Sequence, residues 1–111
     1  MNNGAAQVPS TKDDSEAGAA EGALVREIAI LNRRGLHARA TAKLVQCIEA
    51  FAAEVTVSRC GETVGGTSIM GILTLGAGAG STIVLTARGR EALEVLDAVE
   101  ALVAEKFGEE D

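Results

Sequence analysis

The chain has no tryptophan and no tyrosine, two phenylalanines in 111 residues, one proline, one histidine and two cysteines. Each scarcity removes a class of function. A nucleic-acid surface wants a basic face and stacking rings, whereas here 16 Asp and Glu outnumber 10 Lys and Arg, for a net charge of −6. One histidine with two cysteines set well away from it in sequence cannot fill a zinc site unaided, so no metal is expected. Two cysteines are too few for a disulfide scaffold, which makes a reducing, cytoplasmic compartment the default. No apolar run approaches the ~18 residues of a membrane span. One domain is the natural count at this length. Any chemistry must therefore economise on residue types, and the lone histidine is the first residue to place.

Residues 1–22 (MNNGAAQVPSTKDDSEAGAAEG) contain the only proline, one lysine and four acids, with no apolar periodicity. Such a segment cannot bury enough apolar surface to offset its ordering entropy, and it reads as a disordered acidic tail. It lacks the basic start and continuous apolar stretch of a secretory signal. Residues 23–111 form the expected domain. Leu24 to Leu31 places Arg26, Ile28 and Ile30 on one parity, a strand pattern. Ala38 to Phe51 sets Leu44, Cys47, Ile48 and Phe51 at helical spacing. Glu54 to Ser58 alternates as a strand, Cys60-Gly61-Glu62 is a turn, and Thr63-Val64-Gly65 is a short partner strand. Thr67 to Leu75 opens with Thr67 and Ser68 as candidate N-caps for one or two helical turns. Gly76 to Gly80 breaks the chain, Ser81 to Ala87 has strand propensity, and Glu91 to Phe107 is the longest helical stripe. The order βαββαβα, with helices covering one face of four strands, is an α+β open sandwich.

His37 lies between the first strand and the first helix, at or beside the helix N-cap, in Asn32-Arg33-Arg34-Gly35-Leu36-His37-Ala38-Arg39-Ala40. Unpaired backbone N–H groups and the positive end of the helix dipole gather there. A neutral imidazole in that place is a competent nucleophile near pH 7. A phosphoryl group on it would meet backbone donors at once, and Arg39 would add a guanidinium fork. Residues 23–40 carry four arginines against Glu27, a cationic stretch in an acidic protein. The residues alone leave a second reading open, a surface histidine among solubility charges. Ser68 is likewise either a plain helix cap or a modification site, and Ile69 and Met70 either core or an outward apolar surface. The glycine run lacks the Lys-Ser/Thr of a nucleotide-binding loop and reads as a flexible turn. The final acids, Glu109-Glu110-Asp111, read as a solvated helix end.

Gly35-Leu36-His37-Ala38-Arg39-Ala40-Thr41-Ala42, followed by Thr67-Ser68-Ile69-Met70-Gly71-Ile72-Leu73, resembles the HPr phosphocarriers of the phosphoenolpyruvate-dependent phosphotransferase system. The resemblance runs from about Val25 to the C-terminus, and features of the Ser68 segment and the acidic ending are also similar to the nitrogen-related NPr branch. It implies a four-stranded antiparallel sheet with helices on one face, in a cytoplasmic monomer. It implies that His37 takes phosphate from enzyme I through Nδ1 and passes it to an enzyme IIA-type acceptor, with Arg39 as the active-site arginine. Ser68 matches a serine that a dedicated HPr kinase/phosphorylase modifies in some bacteria, and Ile69, Met70 and Leu73 match the partner-docking patch. Such a chain is a stoichiometric carrier and not a turnover enzyme, and it needs no cofactor of its own. A regulatory interaction protein governed by Ser68 is the alternative. Ala40 stands where the family usually has proline, which implies an altered helix start without loss of function.

Overall fold

A computed structural model of the chain describes residues 22–109. The expected tail over 1–22 therefore lies, but for Gly22, outside the described residues, as do Glu110 and Asp111. The elements in order are β1 (Leu24–Ala29), α1 (Ala38–Glu49), β2 (Glu54–Arg59), β3 (Glu62–Gly65), α2 (Ile69–Thr74), β4 (Thr82–Arg88) and α3 (Ala92–Ala104), followed by a 3-10 turn at Lys106–Gly108. The strands make one antiparallel sheet in the order β1-β4-β2-β3. This is the α+β open-faced sandwich expected from the pattern.

Alternation along the strands decides which face the helices cover. Ile83, Leu85 and Ala87 of β4 and Val55 and Val57 of β2 are buried, while Thr82, Val84, Thr86 and Thr56 between them stay partly or fully exposed. The register sets Val57 opposite Leu85 and Ile28 opposite Ile83, so the buried side chains align across the sheet. Leu44, Val45 and Ile48 of α1, Ile72 of α2, and Val95, Leu96, Val99 and Val103 of α3 close over them. Each such side chain contributes about 1.5–3 kcal/mol by leaving water.

Arg26 shares its parity with Ile28, as expected, and the structure supplies the reason a cation is tolerated there. Its Nη1 donates to Asp97 Oδ1 at 2.7 Å and Glu100 Oε1 at 2.9 Å, both on α3. The edge strand β1 is thereby clasped to α3 over its apolar contacts. Cys60 and Gly61 both have positive φ, 52° and 85°, the geometry of a tight two-residue hairpin between β2 and β3.

Two helix ends differ from the expectation. The α1 helix stops at Glu49 with Ala50 as C-cap, although Phe51 still packs half-buried against the core. The longer correction concerns α3, which ends at Ala104 and does not run to Phe107. Lys106 and Phe107 adopt left-handed backbone, φ 55° and 57°, and the chain turns back toward the start of α1. Left-handed backbone costs about 1–2 kcal/mol per non-glycine residue. Burial of the Phe107 ring, 1% exposed, offsets it. The apolar stripe does include the buried Phe107, but periodicity does not distinguish a helix continued from a helix reversed with the same side chain inside.

Candidate functional site

The site is assembled where β1 hands over to α1. Past Ala29 the backbone stays sheet-like for one more residue, with Ile30 N donating to Ser81 O and Gly80 N to Ile30 O, both at 2.8 Å. A turn follows, closed by Gly35 N to Asn32 O at 3.2 Å. Gly35 takes φ 69°, and a Cβ built on it would lie 2.6 Å from Ala77 O and from Gly78 Cα. Leu36 N donates to the same Ala77 carbonyl at 2.8 Å. The glycine-rich loop after α2 thus buttresses the turn that presents His37, a more specific part than the flexible turn expected of it, and Ala77 is buried. A Gly35→Ala chain is expected to lose about 1–3 kcal/mol, because both backbone conformation and space oppose the methyl group. Urea unfolding checks this.

His37 is the N-cap of α1, with extended backbone at φ −74° and ψ −179°. Its Nδ1 accepts from Arg39 N at 3.3 Å, and its carbonyl accepts from Thr41 N at 2.8 Å. Thr41 Oγ1, fully buried, donates to Leu36 O at 3.1 Å and fixes the residue just before the histidine. An Nδ1 that accepts leaves the ring proton on Nε2, and that nitrogen meets the carboxylate Oε2 of Glu109. The other carboxylate oxygen of Glu109 accepts from Asn32 Nδ2 at 3.0 Å. Asn32 is fully buried, and its second amide hydrogen goes to Gly35 O at 2.9 Å.

Glu109 was expected in a solvated helix end and is instead the ring's partner, 72 residues away in sequence. The reversal at Lys106 and Phe107 delivers it. Lys43 Nζ of α1 donates to Phe107 O at 2.6 Å, while Gly108 N and Glu109 N close the turn onto Glu105 O and Lys106 O. Hydrogen bonds from His37 and then Asn32 hold the Glu109 carboxyl below the usual carboxylate range, with a lesser contribution from the charge of Arg34. A carboxyl whose folded value is depressed adds stability above its unfolded value and loses it as pH falls through the folded one. The C-terminal strap is therefore expected to loosen below about pH 4, the ordinary carboxylate range. Faster amide exchange at Gly108 and Glu109, without global unfolding, is the corresponding measurement.

The cationic stretch of the sequence divides in space. Arg26 is engaged by α3, which leaves Arg33, Arg34 and Arg39 around the histidine loop, with Glu109 as a local anion. The Arg39 side chain is exposed, while its amide supports the ring. Ala40 is the third residue of α1 and completely buried. Its N–H is one of the first-turn amides that no helical carbonyl satisfies, so alanine keeps a donor that proline would remove.

Ser68 is the N-cap of α2 and its Oγ accepts from Gly71 N at 3.0 Å; Thr67, the other candidate, precedes the cap. Ser68 is exposed, as are Ile69 at 40% and Met70 at 71%, while Leu73 is half-buried. The inward residue of this short helix is Ile72. Cys47 is half-buried in α1, where burial pushes its thiol up, and Cys60 is exposed in the hairpin. Among the described residues, no group of three or more His, Cys, Asp or Glu is placed to hold a metal ion. No helix among them is long and apolar enough to cross a membrane.

An open-faced βαββαβα sandwich with its sole histidine capping the first helix defines a class of small α+β protein built around one imidazole. The comparisons identify that class. A family model described as the PTS HPr component phosphorylation site matches residues 24–105. The chain is 48% identical over 86 residues to a phosphocarrier protein HPr of Cupriavidus necator, covering 78% of this chain and 97% of that one. It is 42% identical over 86 residues to a phosphocarrier protein NPr of Shewanella violacea, covering 78% and 94%. The crystal structure of HPr-C-His from Thermoanaerobacter tengcongensis superposes with a TM-score of 0.76 at 38% identity, covering 79% of this chain and 99% of that one. The chain belongs to the HPr phosphocarrier family of the phosphotransferase system.

Sequence reasoning missed Asn32 and Glu109. One local signal bore on Glu109: Gly108 just past an apolar stripe marks a helix already ended, which puts the following acid outside the helix. Nothing local could pair it with His37.

Proposed function

We propose that this chain is a stoichiometric phosphoryl carrier: His37 accepts a phosphoryl group on Nδ1 from enzyme I and passes it to an enzyme IIA-type protein. The observation that carries the reading is the orientation of the ring. Nδ1 faces the amides at the start of α1, accepting from that of Arg39, and Nε2 is occupied by Glu109. A transferred phosphoryl group then sits where helix N–H groups and the helix dipole stabilise its charge. The exposed guanidinium of Arg39, two residues on, lies near enough in sequence to add a charge-assisted contact. Membership of the family supports the partners named.

The exposed Ile69 and Met70, with Leu73 beside them, supply an apolar surface for those partners. Ser68 stands next to that surface, so phosphate placed on it by an HPr kinase/phosphorylase would alter docking more than folding, since a helix start tolerates negative charge. The carrier acts in the cytoplasm, as a monomer, and phosphoenolpyruvate and Mg²⁺ serve enzyme I. Incubation with enzyme I and phosphoenolpyruvate is expected to give an adduct that is acid-labile and base-stable. An acid-stable adduct, or no adduct with an enzyme I that labels another HPr, overturns the reading.

A further inference from the structure

An imidazole offers two nitrogens, and in the neutral ring only the one without a proton attacks. Two contacts specify which one that is in His37. The contact from Arg39 N to Nδ1 is 3.3 Å, beyond the 2.7–3.2 Å range of good N–H hydrogen bonds. The contact of Nε2 with Glu109 is the closer of the two and involves a full negative charge. Glu109 is in turn well seated: Asn32 grips its second oxygen from a fully buried position, and the strap carrying it is pinned by the buried Phe107 ring and by Lys43. With its side chain 15% exposed, the carboxylate is the more sheltered partner of the half-buried imidazole.

We propose that Glu109 is a positioning and specificity-determining residue that directs phosphorylation of His37 to Nδ1 by masking Nε2. It does so in two ways. It holds the ring proton on Nε2, so the free electron pair lies on Nδ1. Its charge also repels an anionic phosphoryl donor from the Nε2 edge, whereas the Nδ1 edge meets the backbone amide of Arg39. In the transfer, the Nδ1 electron pair forms the new N–P bond, and the bond from phosphorus to the donor's leaving group breaks. The leaving group keeps that electron pair. No proton need move: Nε2 keeps its hydrogen, and the positive charge that the ring gains lies against the Glu109 carboxylate.

This inference rests on His37 as the phosphoryl acceptor, and its test uses no partner protein. Phosphoramidate serves as donor to the full chain; its P–N bond breaks and ammonia leaves with the electron pair. Phosphorus and nitrogen NMR of the ring then report which nitrogen carries phosphate. Wild type is expected to be labelled on Nδ1. Glu109→Met, similar in length but uncharged, and Glu109→Ala are expected to place more than about a tenth of the phosphate on Nε2 once the masking is removed. The Met variant keeps the strap filled, so a fold lost in the Ala variant leaves the question answerable. Phosphate confined to Nδ1 in both variants, or found on Nε2 in wild type, overturns the proposal. Failure of enzyme I to label wild type would overturn the carrier function above while leaving this regiochemical result standing.

Discussion

Replacing His37 by alanine is expected to abolish phosphoryl labelling by enzyme I and phosphoenolpyruvate while leaving the chain folded. The ring supplies the proposed acceptor nitrogen, and no second histidine exists to substitute for it. Its structural contribution is modest by comparison. The variant loses the side-chain cap to Arg39 N, of the order of 1 kcal/mol, as for other N-caps. It also leaves Glu109 with Asn32 as its remaining hydrogen-bond donor. For a domain of this size 1 kcal/mol lowers Tm by about 4–8 °C, so circular dichroism should show a cooperative melt a few degrees below wild type. Labelling of the folded variant at the wild-type level would dispose of His37 as the acceptor.

A chain with alanine at Phe107 should suffer the largest loss of stability, about 3–5 kcal/mol, the usual cost of emptying a buried aromatic site. Against a typical total of about 5–15 kcal/mol that is a substantial part of the whole. The ring is 1% exposed and belongs to the hydrophobic core just past α3. Alanine retains the Cβ that makes φ 57° unfavourable and gives up the burial that compensates for it. Phe107→Leu should recover most of the loss, because it restores apolar volume. Since Lys43 holds the Phe107 carbonyl and Glu109 follows two residues later, the alanine variant should also release the strap. The measurements are denaturant midpoints for both variants and amide exchange at Glu109. A midpoint for the alanine variant equal to wild type would show that the ring does not anchor the turn.

Much of the fold was legible because strands and helices are periodic. The alternation around Val55, Val57, Ile83 and Leu85 and the stripe from Val95 to Val103 follow from burying one face of each element. Even the anomalous cation on the buried parity, Arg26, was visible, although its partners Asp97 and Glu100 lie more than 70 residues away. Within the site, His37 and Arg39 were placeable because a helix start has local signals. Asn32 was not, since its side chain matters through a carboxylate at the far end of the chain. The glycine loop was legible as a break, yet the close approach of Gly35 to Ala77 and Gly78 required two separate loops to meet.

By itself the sequence determined that one imidazole stands at the start of a helix on an α+β sandwich, because amphipathic periods, capping residues and residue scarcity are all properties of neighbours along the chain. The tertiary structure decided which of its nitrogens faces the helix amides and which is covered by Glu109. That depends on a left-handed reversal at Lys106 and Phe107. Its local backbone cost is offset only when the Phe107 ring finds the core.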